Sequence, residues 1–186
     1  FCMEQAPMVN LRTIEYQKKN IGELLEQGSA DIVLGVFTDQ PRETMIEHVF
    51  EERFVGIVRR VHPALRKDKI SIERYIQYPH ALTTLSRDSK GAIDEALDQL
   101  GLKRRIAFTT PHMMVLPFTL ATTDLIAAVP ERIARRLADL CELEIFELPI
   151  DLEPWNVSMI WSTLTNQDEA SQWLRKAVKL AALKHI

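Results

Sequence analysis

The sequence predicts an α/β protein built as two lobes joined by two crossover strands, and three observations carry that expectation. Strand-like and helix-like segments alternate in two separate groups, one before Arg59 and one after it. The stretch FVGIVRRVHPALRK (54–67) opens as an apolar run without alternation, the pattern of a strand covered on both faces. It then meets Arg59, Arg60, His62 and Pro63 with none of the Gly/Asn chemistry of a tight hairpin, as if the chain leaves one lobe for another. The last strand and helix return most economically to the first group, which is short of elements alone. The expected lobes are therefore 1–58 with 156–186, and 59–155, with crossings at Arg59–Arg60 and near Pro154–Trp155.

Each element follows from local pattern. VNLRTIEY (9–16) alternates and is β-rich, so it reads as a strand. Asn20, with Glu23 three residues on, suits the cap of IGELLEQG, which Gly28 stops. DIVLGVF (31–37) is a second short strand, which makes a parallel β-α-β unit the expectation. HVFEERFVGIVRR supplies one long or two short strands, broken at Glu51-Glu52-Arg53. Beyond Pro63 the pattern resumes: SIERYI as a helix, HALTTL (80–85) as a strand, and a helix over KGAIDEALDQLG with Ser89 as its cap and Gly101 as its stop. RIAFTT is a strand, and Thr110 and Pro111 suit the cap and first position of HMMVLPFTLAT, where Pro117 predicts a kink or an early end. LIAAVP, CELEIFELP and NVSMIWS are strands, and ERIARRLADL is a helix. A closing helix from Asp168 to about Lys184 places Trp173, Leu174, Ala177, Val178 and Ala181 on one face.

Bulk properties narrow the function classes. A chain of 186 residues, 46% hydrophobic, is long enough for a sizeable core. A net charge of −3 argues against a dedicated nucleic-acid surface within these residues. Two cysteines, Cys2 and Cys141, form no CxxC pair and fit a reducing compartment. No run approaches the roughly 18 apolar residues of a membrane span.

Ligands of open α/β sheets sit beyond the carboxyl ends of strands, near helix amino termini. Three places meet that rule: Gly35-Val36-Phe37-Thr38, Thr83-Thr84-Leu85-Ser86 ahead of Ser89, and Thr109-Thr110-Pro111-His112-Met113. The candidate binding residues are Gly35, Phe37, Thr84, Ser86, His112 and Met113. Hydroxyls and free N–H groups there suit a carboxylate or phenol, and Phe37, Met113 or Phe118 an aromatic ring. Each residue also has a plain structural reading: Ser89 and Thr110 as helix caps, Phe37 as core, Met113 and Met114 as helix packing, His112 as a partnered histidine. Arg59, Arg60 and Trp155 are the candidate hinge residues. Arg59, Arg60 and His62 read chemically as solvated or paired with carboxylates. Catalytic templates fail: there is no Gly-rich phosphate loop, GxSxG or HExxH, and the five histidines have no metal-ligand spacing. Glu51-Glu52 and Asp94-Glu95 read as solvated charge.

GSADIVLGV, ERFVGIVRRVHPAL, ISIERYIQYPHAL, GAIDEALDQLGLKRRI, TTDLIAAVPERIA and DEASQWLRKAV, in that order, resemble the regulatory domain of LysR-type transcriptional regulators. The likeness leans toward the branch that responds to aromatic compounds and flavonoid-like inducers. It implies two Rossmann-like lobes of the type II periplasmic-binding-protein kind, with a small aromatic or anionic effector between them. It also implies homodimers or homotetramers, a cytoplasmic location, no cofactor, and DNA contact only through a helix-turn-helix absent from this stretch. The family's first core strand falls before Phe1, so the chain reads as a fragment. A periplasmic solute-binding protein of the same architecture is the alternative, and an enzyme on this scaffold a third.

Overall fold

The computed structural model describes residues 2–66, 69–84 and 91–183. In chain order its first elements are α1 (Cys2–Gln5), α2 (Ile21–Glu26), β1 (Val33–Gly35), β2 (Thr44–Glu52), β3 (Phe54–Arg59), α3 (Ile72–Gln77) and β4 (Pro79–Thr83). There follow α4 (Ala92–Gln99), β5 (Arg105–Thr110), α5 (Leu116–Ala121), β6 (Ile126–Pro130), α6 (Glu131–Cys141), β7 (Leu143–Phe146), β8 (Trp155–Ser162) and α7 (Glu169–Leu183).

The chain divides into two compact units, residues 1–51 with 155–186 and residues 52–154. The last strand and helix lie in the first unit. The crossings are not all where the sequence placed them. Phe54–Val58 is not the end of the first unit but the middle of the second: β3 pairs antiparallel with β6 on one side and β7 on the other. Arg59 and Arg60 consequently lie at the far end of β3 from the division at Glu51/Glu52. An apolar run covered on both faces marks a central strand, and its charged tail marks only where that strand surfaces.

The first unit holds a three-stranded sheet in the order β1-β8-β2, with β1 antiparallel to β8 and Val33 opposite Ile160. Ile21 and Leu25 of α2 pack on Val33 and Ile160, joined by Tyr16, Ala30 and Phe37. Gly28, at φ +65, ends α2 as expected, but Asn20 makes no side-chain cap bond. Residues 9–16, expected as a strand, form none, and Leu11 is 60% exposed. The parallel β-α-β unit is thus not formed. Alternation makes a strand only when a neighbour supplies a ladder. Here β1 pairs with β8, and a cavity of about 1020 Å³ lies between residues 10–16, residues 28–34 and one face of α7. That face is Leu174, Ala177, Val178 and Ala181, as the helical spacing predicts. Asp168 caps the helix by accepting from the Ser171 N–H at 2.7 Å.

The second unit holds a mixed five-stranded sheet in the order β5-β4-β6-β3-β7, in which β4 runs parallel to both β5 and β6. Two apolar clusters form its core. One centres on Val55, Ile57, Leu116, Leu120 and Val129, the other on Val58, Tyr75, Ile93, Leu97 and Phe146. Pro117 neither kinks nor ends a helix: it stands in the first turn of α5, where its missing N–H is free anyway. Gly91 holds the N-cap position of α4, and Ser89 lies outside the described residues.

Candidate functional site

β4 and β5 are parallel neighbours with Thr83 opposite Thr110, so both strands deliver their carboxyl ends to one edge of the second sheet. The Thr84 N–H donates to the Thr110 carbonyl at 3.1 Å, which extends the ladder one step past β4. Thr110 is buried, and its Oγ1 accepts the His112 N–H at 3.1 Å. The hydroxyl therefore fixes the turn that leads through a 3₁₀ turn (Met113–Val115) into α5. Met113 packs against the Val55–Leu116 cluster, and its Sδ accepts the Thr83 Oγ1–H at 3.8 Å. His112 is exposed beside these groups. One edge thus gathers hydroxyls, a thioether and an imidazole, a set that can hydrogen-bond an anionic or phenolic group and contact an aromatic ring.

Of the predicted binding residues, Thr84, His112 and Met113 come together here. Ser86 lies outside the described residues. Gly35 and Phe37 belong to the first unit, and each has a packing role there. A Cβ on Gly35 would stand 2.3 Å from the Tyr16 Oη, and Phe37 packs on the Ile21–Val33 core. Tyr16 Oη donates to the Leu34 carbonyl at 3.1 Å, so Gly35 is the clearance that lets this bond form. Of the hinge candidates, Trp155 opens β8 directly at the Pro154/Trp155 division. Arg59 donates to Asp124 at 2.8 Å and to the carbonyls of Arg60 and Val61 at 2.9 and 3.1 Å. Arg60 pairs loosely with Glu142 at 3.8 Å. The two arginines tie down the left-handed turn at Val61 (φ +57) and do not stand at a crossing.

Three readings of charge change on burial. His62 is 3% exposed, not solvated: its Nδ1 accepts the Ala64 N–H at 3.1 Å and its ring meets Tyr78 edge-on. Burial lowers its pKa. Asp94 is not solvated charge either. It accepts two 2.8 Å bonds from Arg104, whose side chain is 1% exposed, and one from the Gly91 N–H. Burial alone would raise the Asp94 pKa, but the bonds and charge of Arg104 outweigh it and the net shift is downward. Glu52 is buried as well, with its Oε1 accepting the N–H groups of Arg53 and Glu131. Beneath the β4 edge sits a group the sequence did not announce. His80 is fully buried, its Nε2 is 2.8 Å from the Tyr75 carbonyl, and its ring packs edge-on against Tyr75. Burial pushes the His80 pKa down to about 4 and the Tyr75 pKa up to about 12. Only the apolar neighbours of His80 in HAL hinted at this.

Two comparisons define the class of protein. The model of the LysR substrate binding domain matches residues 2–182, and the fold is that of solved domains of this kind. The chain belongs to the LysR substrate-binding-domain family. Among curated relatives, NagR, an HTH-type transcriptional activator of Ralstonia sp, is 28% identical over 93% of this chain and 57% of its own length. Nodulation protein D 1 of Rhizobium tropici is 33% identical over 82% of this chain and 50% of its own. The chain spans about half the length of these curated relatives. Among solved structures, a transcriptional regulator of Pseudomonas aeruginosa superposes with a TM-score of 0.81 at 28% identity, over 95% of this chain and 58% of that one. A regulator of Vibrio parahaemolyticus gives 0.86 at 23% identity, over 98% and 85%, which speaks for the fold alone.

Proposed function

We propose that this chain senses a small aromatic or anionic molecule for a LysR-type transcriptional regulator, holding it at the Thr84–Thr110 edge of the second sheet. The observation that carries the reading is the convergence of Thr83, Thr84, Thr110, His112 and Met113 on the carboxyl ends of two parallel strands. One solved neighbour, the effector-binding domain of QuiR, is a complex with shikimate, a small hydroxylated carboxylate. That makes a small carboxylate a fitting first probe for this chain. In the whole protein, which we read as a cytoplasmic homodimer or homotetramer, effector binding would favour one arrangement of the units and so respace DNA-binding heads. A coupling of about 1–3 kcal/mol is enough for such control. The relatives are transcriptional regulators, which favours this reading over a periplasmic solute-binding protein.

The test is calorimetric titration with shikimate, benzoate and salicylate. Thr84→Val is expected to weaken the tightest of the three by about fivefold or more, in line with the loss of one hydrogen bond, while the melting temperature stays put. No saturable heat from any member of the panel, or unchanged affinity in the variant, removes this edge as the site.

A further inference from the structure

Both chain passages between the units are rooted at the sheet edge that carries the candidate site. β6 is parallel to β4, and Phe54 at the start of β3 stands opposite Pro130 at the end of β6, so residues 52–53 and 130–131 share the edge where β4 and β5 end. β7 is antiparallel to β3 and ends at the same edge, where the chain departs through Glu147 toward the second crossing at Pro154/Trp155.

One guanidinium ties these passages together. Arg53 Nε and Nη2 donate to Glu131 at 2.6 and 3.1 Å, and its Nη1 and Nη2 donate to Glu147 at 2.6 and 2.9 Å. All three nitrogens are engaged, and each carboxylate is held by both oxygens. The backbone is locked beside it: the Glu131 N–H donates to the Arg53 carbonyl at 2.9 Å, and the Glu52 carboxylate accepts from both residues' N–H groups. Beyond Glu147 the returning chain stays on the second unit, with Leu148, Ile150 and Leu152 packed on the Val58–Phe146 cluster. An exposed ion pair is ordinarily worth little, and Glu147, 73% exposed, is screened. Glu131, at 19%, and the buried Glu52 are sheltered, and three separated segments meet at one fork.

We propose that Arg53 is a positioning residue that staples the outgoing and returning connections to each other at their roots in the second unit. Chain freedom between the units is thereby confined to the few residues around Glu51 and Pro154. The regulatory meaning of the staple rests on the function proposed above, whereas its existence is read without any effector.

Hydrogen exchange followed by mass spectrometry, on the chain as it stands, tests it. Arg53→Gln is expected to raise exchange at Glu131 and over 147–153 by about tenfold or more, with the centre of β3 (55–57) unchanged, and Arg53→Lys to fall between. Raising salt to about 1 M loosens 147–153 in the wild type but not in Arg53→Gln, a response that packing alone would not give. Exchange within about twofold of wild type at both places overturns the proposal, as does equal loosening at 55–57, which marks general destabilisation. If the staple behaves as expected while the calorimetric panel shows no binding, the effector reading fails and the staple stands.

Discussion

Gly56 and Phe146 show how one residue can depend on another far along the chain. A Cβ on Gly56 would lie 2.1 Å from the Cζ of Phe146 and within 2.5 Å of two more ring carbons. Phe146 is itself buried against Tyr75, with ring centroids 6.5 Å apart, so the ring has little room to retreat. Gly56→Ala should cost about 1–3 kcal/mol of overpacking in a denaturant titration, and Phe146→Leu in the same chain should recover part of it. Unchanged stability in the single variant would show that the sheet flexes enough to absorb a methyl group. Gly35 calls for the same treatment in the first unit. Gly35→Ala collides with the Tyr16 hydroxyl, so its expected effect is a lower melting temperature with effector affinity unaltered. Neither clearance shows in the sequence, because each glycine is required by a side chain from another segment.

Among the elements, those whose burial is decided within their own span were legible. The helical face of α7, the left-handed stops at Gly28 and Gly101, and the apolar run of β3 all follow from local spacing. What stayed hidden needed a partner from elsewhere. The 9–16 alternation had no neighbour to pair with, and β3 was misplaced because sequence shows that a strand is covered, not which unit covers it. Of the candidate site, the rule for strand ends led to the threonines after β4 and β5, which are parallel neighbours, and also to Gly35 and Phe37, which follow a strand paired antiparallel with β8 and pack within the first unit. Asp94 hid for the reason the glycines did: its partner Arg104 lies outside α4, in the connection that leads into β5. That pair ties the first turn of α4 to the start of β5. Arg104→Met should cost about 3–5 kcal/mol, because it strands a sheltered carboxylate without its cation. Asp94→Leu in the same chain should recover much of that loss, and a double-mutant cycle measures how much. Additive costs in the cycle would mean that the pair does not act as a unit.

At the scale of the whole molecule, the two units differ in how they meet acid, and the chain carries a probe that separates them. His80 and His62, both buried with lowered pKa values, belong to the second unit. All three tryptophans, Trp155, Trp161 and Trp173, belong to the first together with Tyr16, while two of the three tyrosines, Tyr75 and Tyr78, belong to the second. A histidine near 6.5 when unfolded and near 4 when folded resists protonation only in the folded state. Its contribution is complete above pH 6.5 and drains away as pH falls toward 4, a loss of about 3 kcal/mol from His80 alone, with His62 acting in the same direction. Arg104 lies among the charges around His80 and adds to the resistance, and Asp94 opposes it. On acidification the near-ultraviolet tyrosine signal should therefore decay at a higher pH than tryptophan-selective fluorescence. His80→Gln should move the tyrosine transition toward lower pH, because the group whose protonation drives it is gone. Coincident transitions for the two probes, unmoved by the substitution, would mean that the units unfold as one and that acid acts somewhere other than the buried histidines of the second.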